Sequence, residues 1–175
     1  MKKEIIFTGI GGQGILKSAI LLAHAANSSG FQVVQAASYD AAARGSVTEA
    51  EVLFSDSPIA FPHCENADIH LSMNEKAYLK YKALLKKDGL LIFDSSVFKP
   101  ADEADGIYGI PATEMALKDL KKSFLSNIIL LGALSFFMKD IKPEIFDASL
   151  KENFGKHYEL NLKAFNNGRE YFEKR

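Results

Sequence analysis

The sequence feature that most restricts the fold is a glycine-rich turn between an apolar strand and an apolar helix. Ile5–Phe7 predicts a short buried strand, Gly9–Gly14 predicts the turn, and Ile15–Ser28 predicts a helix rich in Ala and Leu. Phe31–Ala36 then predicts a second short strand. This strand–turn–helix–strand order implies parallel strands joined by a right-handed crossover.

The rest of the chain continues with alternating strands and helices. Thr48–Phe54 alternates only partly and predicts a half-exposed strand. The later predictions are strands at Ala67–Met73, Gly89–Asp94 and Gly106–Ile110, and helices at about Glu75–Leu85, Glu114–Leu120 with Thr113 as N-cap, Asn127–Met138, Pro143–Glu152 and Lys156–Glu173. This order favours one α/β three-layer Rossmann-like domain over residues 1–175, with a mostly parallel sheet and a helical C-terminal third.

Composition and charge exclude several classes of protein. With 175 residues, 47% hydrophobic and 25% charged, the chain has an ordinary globular composition. A formal net charge of -1 argues against a general nucleic-acid binder. The uncharged stretch Ser123–Met138 is short for a membrane span, and the N-terminus has no signal-peptide core. We therefore expect a cytoplasmic protein with no membrane or nucleic-acid partner.

The titratable residues predict no catalytic centre. One cysteine, Cys64, excludes an internal disulfide, a Cys-ligated iron–sulfur cluster and a four-Cys zinc site. Cys64 follows His63 and could be a nucleophile, but a small, partly buried side chain is the favoured interpretation. His24 and His70 are expected at the edges of elements rather than in a site. The chain also lacks the common nucleophile, zinc-protease and P-loop motifs, so we predict no catalytic or metal-binding residue.

The glycine turn is the strongest local signal for binding. Gly9, Gly11 and Gly14 have the spacing at which backbone N–H groups and a helix N-terminus can hold a phosphate. The turn could also be only a tight connection. A dinucleotide site needs an acid at the end of the second strand, whereas Asp40 lies beyond it. Gln13 could bond a ligand, a neighbouring chain or its own loop.

Arg44 gives a second signal, in a loop predicted at Ser38–Ser46. The loop follows the second strand, so it belongs to the carboxyl edge of the sheet, where α/β folds bind ligands. The planar guanidinium suits phosphate or carboxylate, although a local pair with Asp40 is an equal alternative. We expect this loop to lie beside the glycine turn, because the second strand normally neighbours the first.

Several motifs together resemble the gamma subunit of the 2-oxoacid:ferredoxin oxidoreductases. The resemblance covers essentially all 175 residues in order. It departs from the usual family pattern at Asp40, Ser46 and Ser126. The segments that carry it are Gly9–Gly14, Tyr39 with Arg44-Gly45, Glu51-Val52, Ser55-Asp56 ahead of Pro58, Ala67–Ile69, Ile110–Glu114, Asn127-Ile128 with Leu131–Leu134, and Glu159–Phe165 with Gly168.

The resemblance implies one subunit of a larger enzyme that is inactive alone. Such enzymes convert a 2-oxoacid and coenzyme A to acyl-CoA, carbon dioxide and reduced ferredoxin. The resemblance of the closing helix favours 2-oxoglutarate as the 2-oxoacid over the pyruvate or ketoisovalerate type. Thiamine diphosphate and iron–sulfur clusters are then expected in partner chains: thiamine-binding alpha and beta subunits and a ferredoxin-like delta subunit. The isolated chain could self-associate. The candidate contacts to coenzyme A are Gly9, Gly11, Gly12, Gln13, Gly14, Tyr39, Arg44 and Gly45.

Two alternatives of other classes stay open from the residues alone. One is a free-standing NAD- or nucleotide-binding Rossmann enzyme, which an acid at the end of the second strand would favour. The other is an assembly module with no ligand of its own. The 2-oxoacid itself is not fixed by the sequence, because that pocket is expected mainly in other chains.

Overall fold

The computed structural model describes residues 1–39, 45–101 and 105–174. The predicted elements are present, with differences mainly at their ends. The strands are β1 (Lys2–Ile10), β2 (Gln32–Tyr39), β3 (Val47–Ser55), β4 (Ala67–Ser72), β5 (Leu85–Asp94) and β6 (Ile107–Ile110). The helices are α1 (Ile15–Ser28), α2 (Glu75–Tyr81), α3 (Ala112–Leu120), α4 (Ser126–Phe137), α5 (Pro143–Phe154) and α6 (Tyr158–Glu173).

The sheet is mostly parallel, as predicted, but its order differs from the expectation. Within the described residues it has six strands in the order β2-β3-β1-β4-β5-β6. β3 runs antiparallel to both β1 and β2, so β1 and β2 point the same way without touching. The prediction that the second strand neighbours the first is therefore wrong. β2 and β3 form an antiparallel hairpin, and β3 takes the position beside β1.

β3 is buried rather than half-exposed. Ala50, Val52, Leu53 and Phe54 are all fully buried. The interior position explains this, because β3 has a strand on each side and is covered on both faces. Ala50, Val52 and Phe54 belong to the main core with α1, and Leu53 packs on the opposite face near Cys64. The partial alternation of the sequence predicted the strand but not its burial.

The sheet separates two unequal helical layers, which confirms the three-layer α/β architecture. Ile5 and Phe7 of β1 face the larger core, to which α1 and α3–α6 contribute. Ile6 faces the other side, with Leu53 and Cys64. Of the described helices, α2 covers this second side, where Tyr78 packs with residues of β5. No described helix is long and apolar enough to cross a membrane.

The connection from α2 to β5 also differs from the prediction. The predicted helix to Leu85 ends at Tyr81, and a 3-10 turn over Lys82–Leu84 leads directly into β5. β5 begins at Leu85 instead of Gly89 because Ala67 of β4 pairs with Leu85. The register shifts before the next pair of residues, so β5 contains an irregularity that its polar sequence did not indicate.

Two glycines allow α4 and α6 to pack with their backbones in contact. A Cβ added at Gly132 would lie 1.9 Å from the carbonyl oxygen of Phe165. A Cβ added at Gly168 would lie 1.8 Å from the carbonyl oxygen of Ile129. These separations are far below van der Waals contact, so each position requires glycine. The two glycine-containing motifs of the C-terminal third are thus the two sides of one helix contact.

Candidate site at the carboxyl edge of the sheet

The glycine turn lies at the carboxyl end of β1 and leads into α1. Gly12 and Gly14 adopt positive φ angles of 93° and 75°, which side chains other than glycine rarely tolerate. Gly14 occupies the N-cap position of α1 and supplies no side chain to its first turn. The sequence prediction of a strand-to-helix turn is therefore confirmed. Any anion at this helix end would meet backbone N–H groups and the positive end of the helix dipole.

Gln13 is bonded to its own surroundings rather than pointing out of the turn. Its side-chain oxygen accepts a hydrogen bond from the backbone N–H of Ile10 at 2.8 Å. Its side-chain nitrogen donates to the carbonyl oxygen of Met73 at 3.2 Å. The local-loop alternative for Gln13 therefore describes the structure, and the amide ties the turn to the end of β4. The remaining binding potential of the turn is in its backbone.

The start of β3 lies against the turn. The backbone N–H of Gly11 donates to the carbonyl oxygen of Ser46 at 3.0 Å. Gly45, just before it, has a φ of 92°, and Tyr39 is the last residue of β2. Ser46, the last residue of the predicted loop, is thus held at the turn because β3, and not β2, lies beside β1. Arg44 and Asp40 lie outside the described residues.

Asn127 connects the glycine turn to α4. Its side-chain nitrogen donates to the carbonyl oxygen of Gly14 at 3.1 Å and to the hydroxyl of Ser18 at 3.2 Å. The amide fills the space beside the turn so closely that a Cβ at Gly14 would lie 2.4 Å from that nitrogen. Asn127 is only 5% exposed. Two motifs that lie far apart in the sequence therefore form one structural unit.

A pocket opens beside this unit, between the start of α1 and helices α4, α5 and α6. We call it the α1 pocket; its volume is about 410 Å³. The ammonium of Lys17 enters it, donating to the Asn153 side-chain oxygen at 3.1 Å and lying 5.0 Å from the centre of the Phe154 ring. Sequence reasoning missed this pocket, because its residues come from four helices and from the turns that precede α1 and α4. The wall includes Gly12, Lys17, Phe124, Asn127, Phe154 and Asn161.

The buried histidine of β4 is a structural residue. Thr8 donates its hydroxyl proton to Ser72 at 3.0 Å and contacts the Nε2 atom of His70 at 2.8 Å. Because the one proton of Thr8 is used, His70 must donate from Nε2, which leaves Nδ1 without a partner. Burial lowers the pKa of His70 to about 3, so the ring is neutral at physiological pH. The prediction of an edge position is wrong for His70, which is fully buried within β4.

Cys64 does not have the character of a nucleophile. Burial, followed by the nearby Glu4 carboxylate, raises the pKa of its thiol to about 12. His63 contacts the Glu51 carboxylate at 3.3 Å, and the backbone N–H of Cys64 donates to the same group. Among the described residues, no group of histidines, cysteines and carboxylates could hold a metal ion. The cysteine and its neighbours thus fit neither a nucleophile nor a cluster ligand.

The Pro-Ala-Thr-Glu segment anchors α3 to the end of β5. The buried Asp94 carboxylate accepts hydrogen bonds from the backbone N–H and the hydroxyl of Thr113, at 3.1 and 2.6 Å. The hydroxyl of Ser96 accepts from the backbone N–H of Glu114 at 3.1 Å. Thr113 is not the N-cap, because α3 already begins at Ala112. Asp94, distant in sequence, satisfies the helix end instead, which local capping rules do not predict.

These features define a Rossmann-like subunit whose candidate ligand-binding edge is formed mainly by backbone. The chain belongs to the pyruvate ferredoxin/flavodoxin oxidoreductase family, whose model matches residues 4–171. A relative, the 2-oxoglutarate synthase subunit KorC of Methanocaldococcus jannaschii, is 35% identical over 175 residues, which cover 97% of this chain and 94% of that protein. The family resemblance inferred from the sequence is confirmed.

Solved structures agree with this assignment. The gamma subunit of a keto/oxoacid ferredoxin oxidoreductase from Geobacter sulfurreducens has a TM-score of 0.86 and 30% identity, with 99% of each chain covered. A 2-oxoglutarate:ferredoxin oxidoreductase from Magnetococcus marinus, solved with 2-oxoglutarate, coenzyme A and succinyl-CoA bound, has a TM-score of 0.89 and 25% identity. This chain matches 31% of that longer chain. The gamma-subunit interpretation is thereby favoured over a free-standing NAD enzyme.

Proposed function

We propose that this chain is the gamma subunit of a 2-oxoglutarate:ferredoxin oxidoreductase, a cytoplasmic complex that forms succinyl-CoA and carbon dioxide and reduces ferredoxin. The observation that carries the proposal is the 35% identity to a 2-oxoglutarate synthase subunit over nearly the full length of both chains. Ketoisovalerate oxidoreductase subunit VorA of Methanothermobacter thermautotrophicus is less similar, at 25% identity, and this chain covers 36% of it. The 2-oxoglutarate type is therefore the preferred specificity, and the whole chain is the gamma-type domain.

The chemistry of the complex belongs to its other subunits. Thiamine diphosphate supplies the carbanion chemistry of decarboxylation, and iron–sulfur clusters carry electrons to ferredoxin. The described residues of this chain fit neither role, because Cys64 is a single buried thiol and His70 is a buried neutral ring. The proposed partners are thiamine-binding alpha and beta subunits and a ferredoxin-like delta subunit. The isolated gamma chain is then inactive.

Reconstitution tests this assignment. The chain is co-expressed with candidate alpha, beta and delta subunits from the same organism, and reduction of an electron acceptor is measured with each of three 2-oxoacids. We expect the highest kcat/KM with 2-oxoglutarate, dependence on coenzyme A, and no turnover by the gamma chain alone. Turnover by the isolated chain would contradict its proposed inactivity. A preference for pyruvate or ketoisovalerate would contradict the proposed specificity for 2-oxoglutarate.

We also propose that coenzyme A contacts the carboxyl edge of the sheet through its phosphates. The turn from Gly9 to Gly14 places backbone N–H groups at the start of α1. Those of Gly11 and Gln13 already donate to the carbonyl oxygens of Ser46 and Ile10, so the proposed contacts are the other N–H groups of the turn. Arg44, which precedes Gly45 in the sequence and lies outside the described residues, is the proposed cationic contact. A hydrogen bond between charged groups contributes roughly 1.5–3 kcal/mol. The Arg44→Ala variant should therefore weaken coenzyme A binding by about 10- to 150-fold.

The Arg44 test needs the assembled complex and a matched variant. Arg44→Lys keeps the positive charge but loses the planar fork, so its effect should be smaller than that of Arg44→Ala. If Asp40 neutralises Arg44 locally, both effects shrink. Unchanged affinity in an intact complex would remove the ligand role of Arg44. Loss of assembly would instead make this edge a contact between subunits.

An exposed aromatic cluster is the proposed partner surface. It lies between the edge strand β6 and the ends of α4 and α6, with ring centres 4.8 to 5.9 Å apart. Tyr108 and Phe136 are 37% and 36% exposed, and they contact Phe137 and Phe172. Phe136→Asp should reduce co-purification of the partner subunits, whereas Phe61→Asp, at an exposed position outside the cluster, should not. Equal recovery of partners by both variants would argue against this surface.

A further inference from the structure

β2 is the outermost strand at one side of the sheet, and one side of its backbone is unpaired in the part of the chain that the structure describes. The carbonyl of Ser46 accepts from Gly11, so the even-numbered residues of β3 direct their backbone groups toward β1. The odd-numbered residues of β3 therefore bond the even-numbered residues of β2. The backbone N–H and C=O groups of Val33, Gln35 and Ala37 point outward, and they have no hydrogen-bond partner within residues 1–39, 45–101 and 105–174.

This outer side of β2 has none of the features that usually prevent an edge strand from pairing. Protected edge strands carry charged residues, proline or a bulge. The sequence from Ser18 to Tyr39 contains no Asp, Glu, Lys, Arg or Pro, and β2 pairs with β3 without a register shift. Every residue from Gln32 to Ser38 is at least partly exposed. A long, uncharged edge strand of this kind is a template for the addition of another strand.

An apolar side of α1 continues this surface. α1 packs over β2 and β3, whereas α4 packs over β5, and Ser18 of α1 bonds Asn127 of α4. The side of α1 opposite Ser18 therefore faces away from α4, toward the outer side of β2. Leu16 and Ile20 lie on that side, one helical turn apart. Both are partly exposed, and neither packs against a core cluster of the described residues.

We propose that this chain forms a two-fold dimer in which β2 pairs antiparallel with β2 of a second copy. With the axis at Gln35, the outward groups of Gln35 pair with those of Gln35 in the other copy, and Val33 pairs with Ala37, so all outward groups are bonded. A two-fold axis would also bring like charges together, which destabilises strand pairs. The uncharged sequence from Ser18 to Tyr39 suits a second copy, whereas it offers an acidic or basic partner no complementary charge. This inference does not depend on the proposed function of the chain.

Paired charge variants test the two-fold axis. Sedimentation equilibrium of the full-length chain measures the Kd of the dimer. Gln35→Glu and Gln35→Lys each place like charges at the axis, so each alone should raise the Kd by at least about 10-fold. An equimolar mixture of the two variants should restore association, because opposite charges then meet. Gln32→Glu, the same change at the exposed start of β2, should alter the Kd by less than about 2-fold.

Three results of these measurements would overturn the proposal. The first is a wild-type chain that remains monomeric at about 1 mM. The second is an equal Kd for Gln35→Glu and Gln32→Glu. The third is a mixture of the two Gln35 variants that associates no better than either variant alone.

Hydrogen exchange tests the backbone pairing directly. The amides of Val33, Gln35 and Ala37 should exchange more slowly as the protein concentration rises, because pairing protects them only in the dimer. The amides of Val34 and Ala36 bond β3 and should be protected at every concentration. Outward amides that stay unprotected at concentrations where the dimer forms would contradict strand pairing.

The helix side of the interface has its own matched pair of variants. Ile20→Lys should raise the Kd of the dimer by at least about 5-fold, because it places a charge in an apolar contact. Leu79→Lys changes an exposed apolar residue of α2, on the other face of the sheet, and should leave the Kd unchanged. Equal Kd values for these two variants would remove α1 from the interface and overturn this part of the proposal.

Other occupants of the β2 surface would give different results. If Phe136→Asp abolishes self-association and Gln35→Glu does not, the aromatic cluster joins the copies and this inference is overturned. If Gln35→Glu instead lowers co-purification of the alpha, beta or delta subunits without changing the Kd of the isolated chain, the surface belongs to a partner subunit. That result would also overturn the dimer, and the proposed function of the chain would stand.

Discussion

Acid should destabilise this protein through one buried histidine before its carboxylates titrate. His70 is fully buried, and its pKa is lowered from the ordinary 6.5 to about 3 because the charged ring would lose its hydration. The unfolded chain takes up a proton at this ring below pH 6.5, whereas the folded chain does not until about pH 3. The stability conferred by a neutral His70 is therefore present above pH 6.5 and is lost as the pH falls.

The expected loss follows from the size of this difference. Each pH unit between the unfolded and folded pKa values costs about 1.4 kcal/mol of unfolding free energy. Between pH 7.5 and pH 5.0 the loss is about 2 kcal/mol, because only the part below pH 6.5 counts. Glu4 and Asp56, whose pKa values are lowered, contribute at more acidic pH. Burial raises the pKa of Glu49, so this group has the opposite effect: its contribution to the unfolding free energy increases as the pH falls.

Urea denaturation at pH 7.5 and pH 5.0 measures this effect in a variant pair. His70→Gln retains a donor for the Thr8 hydroxyl but cannot titrate, so its stability should fall by about 2 kcal/mol less than that of the wild type between these pH values. His24→Gln, at an exposed position of α1, should behave as the wild type. The quantity compared is the change with pH, so a variant that is less stable at both pH values is still informative. An equal loss in the wild type and His70→Gln would refute the reasoning.

Three further predictions concern packing, the thiol and the cap of α3. Gly168→Ala should lower the unfolding free energy by at least about 2 kcal/mol in denaturation experiments, because the new methyl overlaps the backbone of α4. Asn166→Ala, on the exposed side of α6, should change the unfolding free energy by less than about 0.5 kcal/mol. Similar stabilities of these two variants would argue against the backbone contact. Cys64 should react with iodoacetamide at pH 8 roughly 1000-fold more slowly in the folded chain than in urea, since its raised pKa leaves few thiolates; fast labelling of folded protein would contradict this. Asp94→Ala should cost at least about 1 kcal/mol by releasing Thr113 and the start of α3, and Thr113→Ser should cost less because it keeps both donors; the reverse order would be inconsistent with this cap.

Much of the fold was predictable because its signals are local. A strand of apolar residues, a glycine turn and an apolar helix follow one another between Ile5 and Ser28, and the structure has these elements in that order. The predicted turn at Gly14 was correct, since the glycines that allow a positive φ lie close together in the sequence. The motifs that identified the family were likewise read directly from the chain.

The tertiary structure decided how these elements are arranged and which polar groups are used. Three contacts join residues far apart in the chain: β3 pairs with β1, Asp94 caps the start of α3, and Asn127 donates a hydrogen bond to Gly14. The burial of His70 and the pocket around Lys17 arise in the same way. Periodicity reports which side of an element is apolar, but it does not report the neighbour that covers that side. For this protein the sequence by itself therefore determined the elements and the family, and long-range packing determined the site.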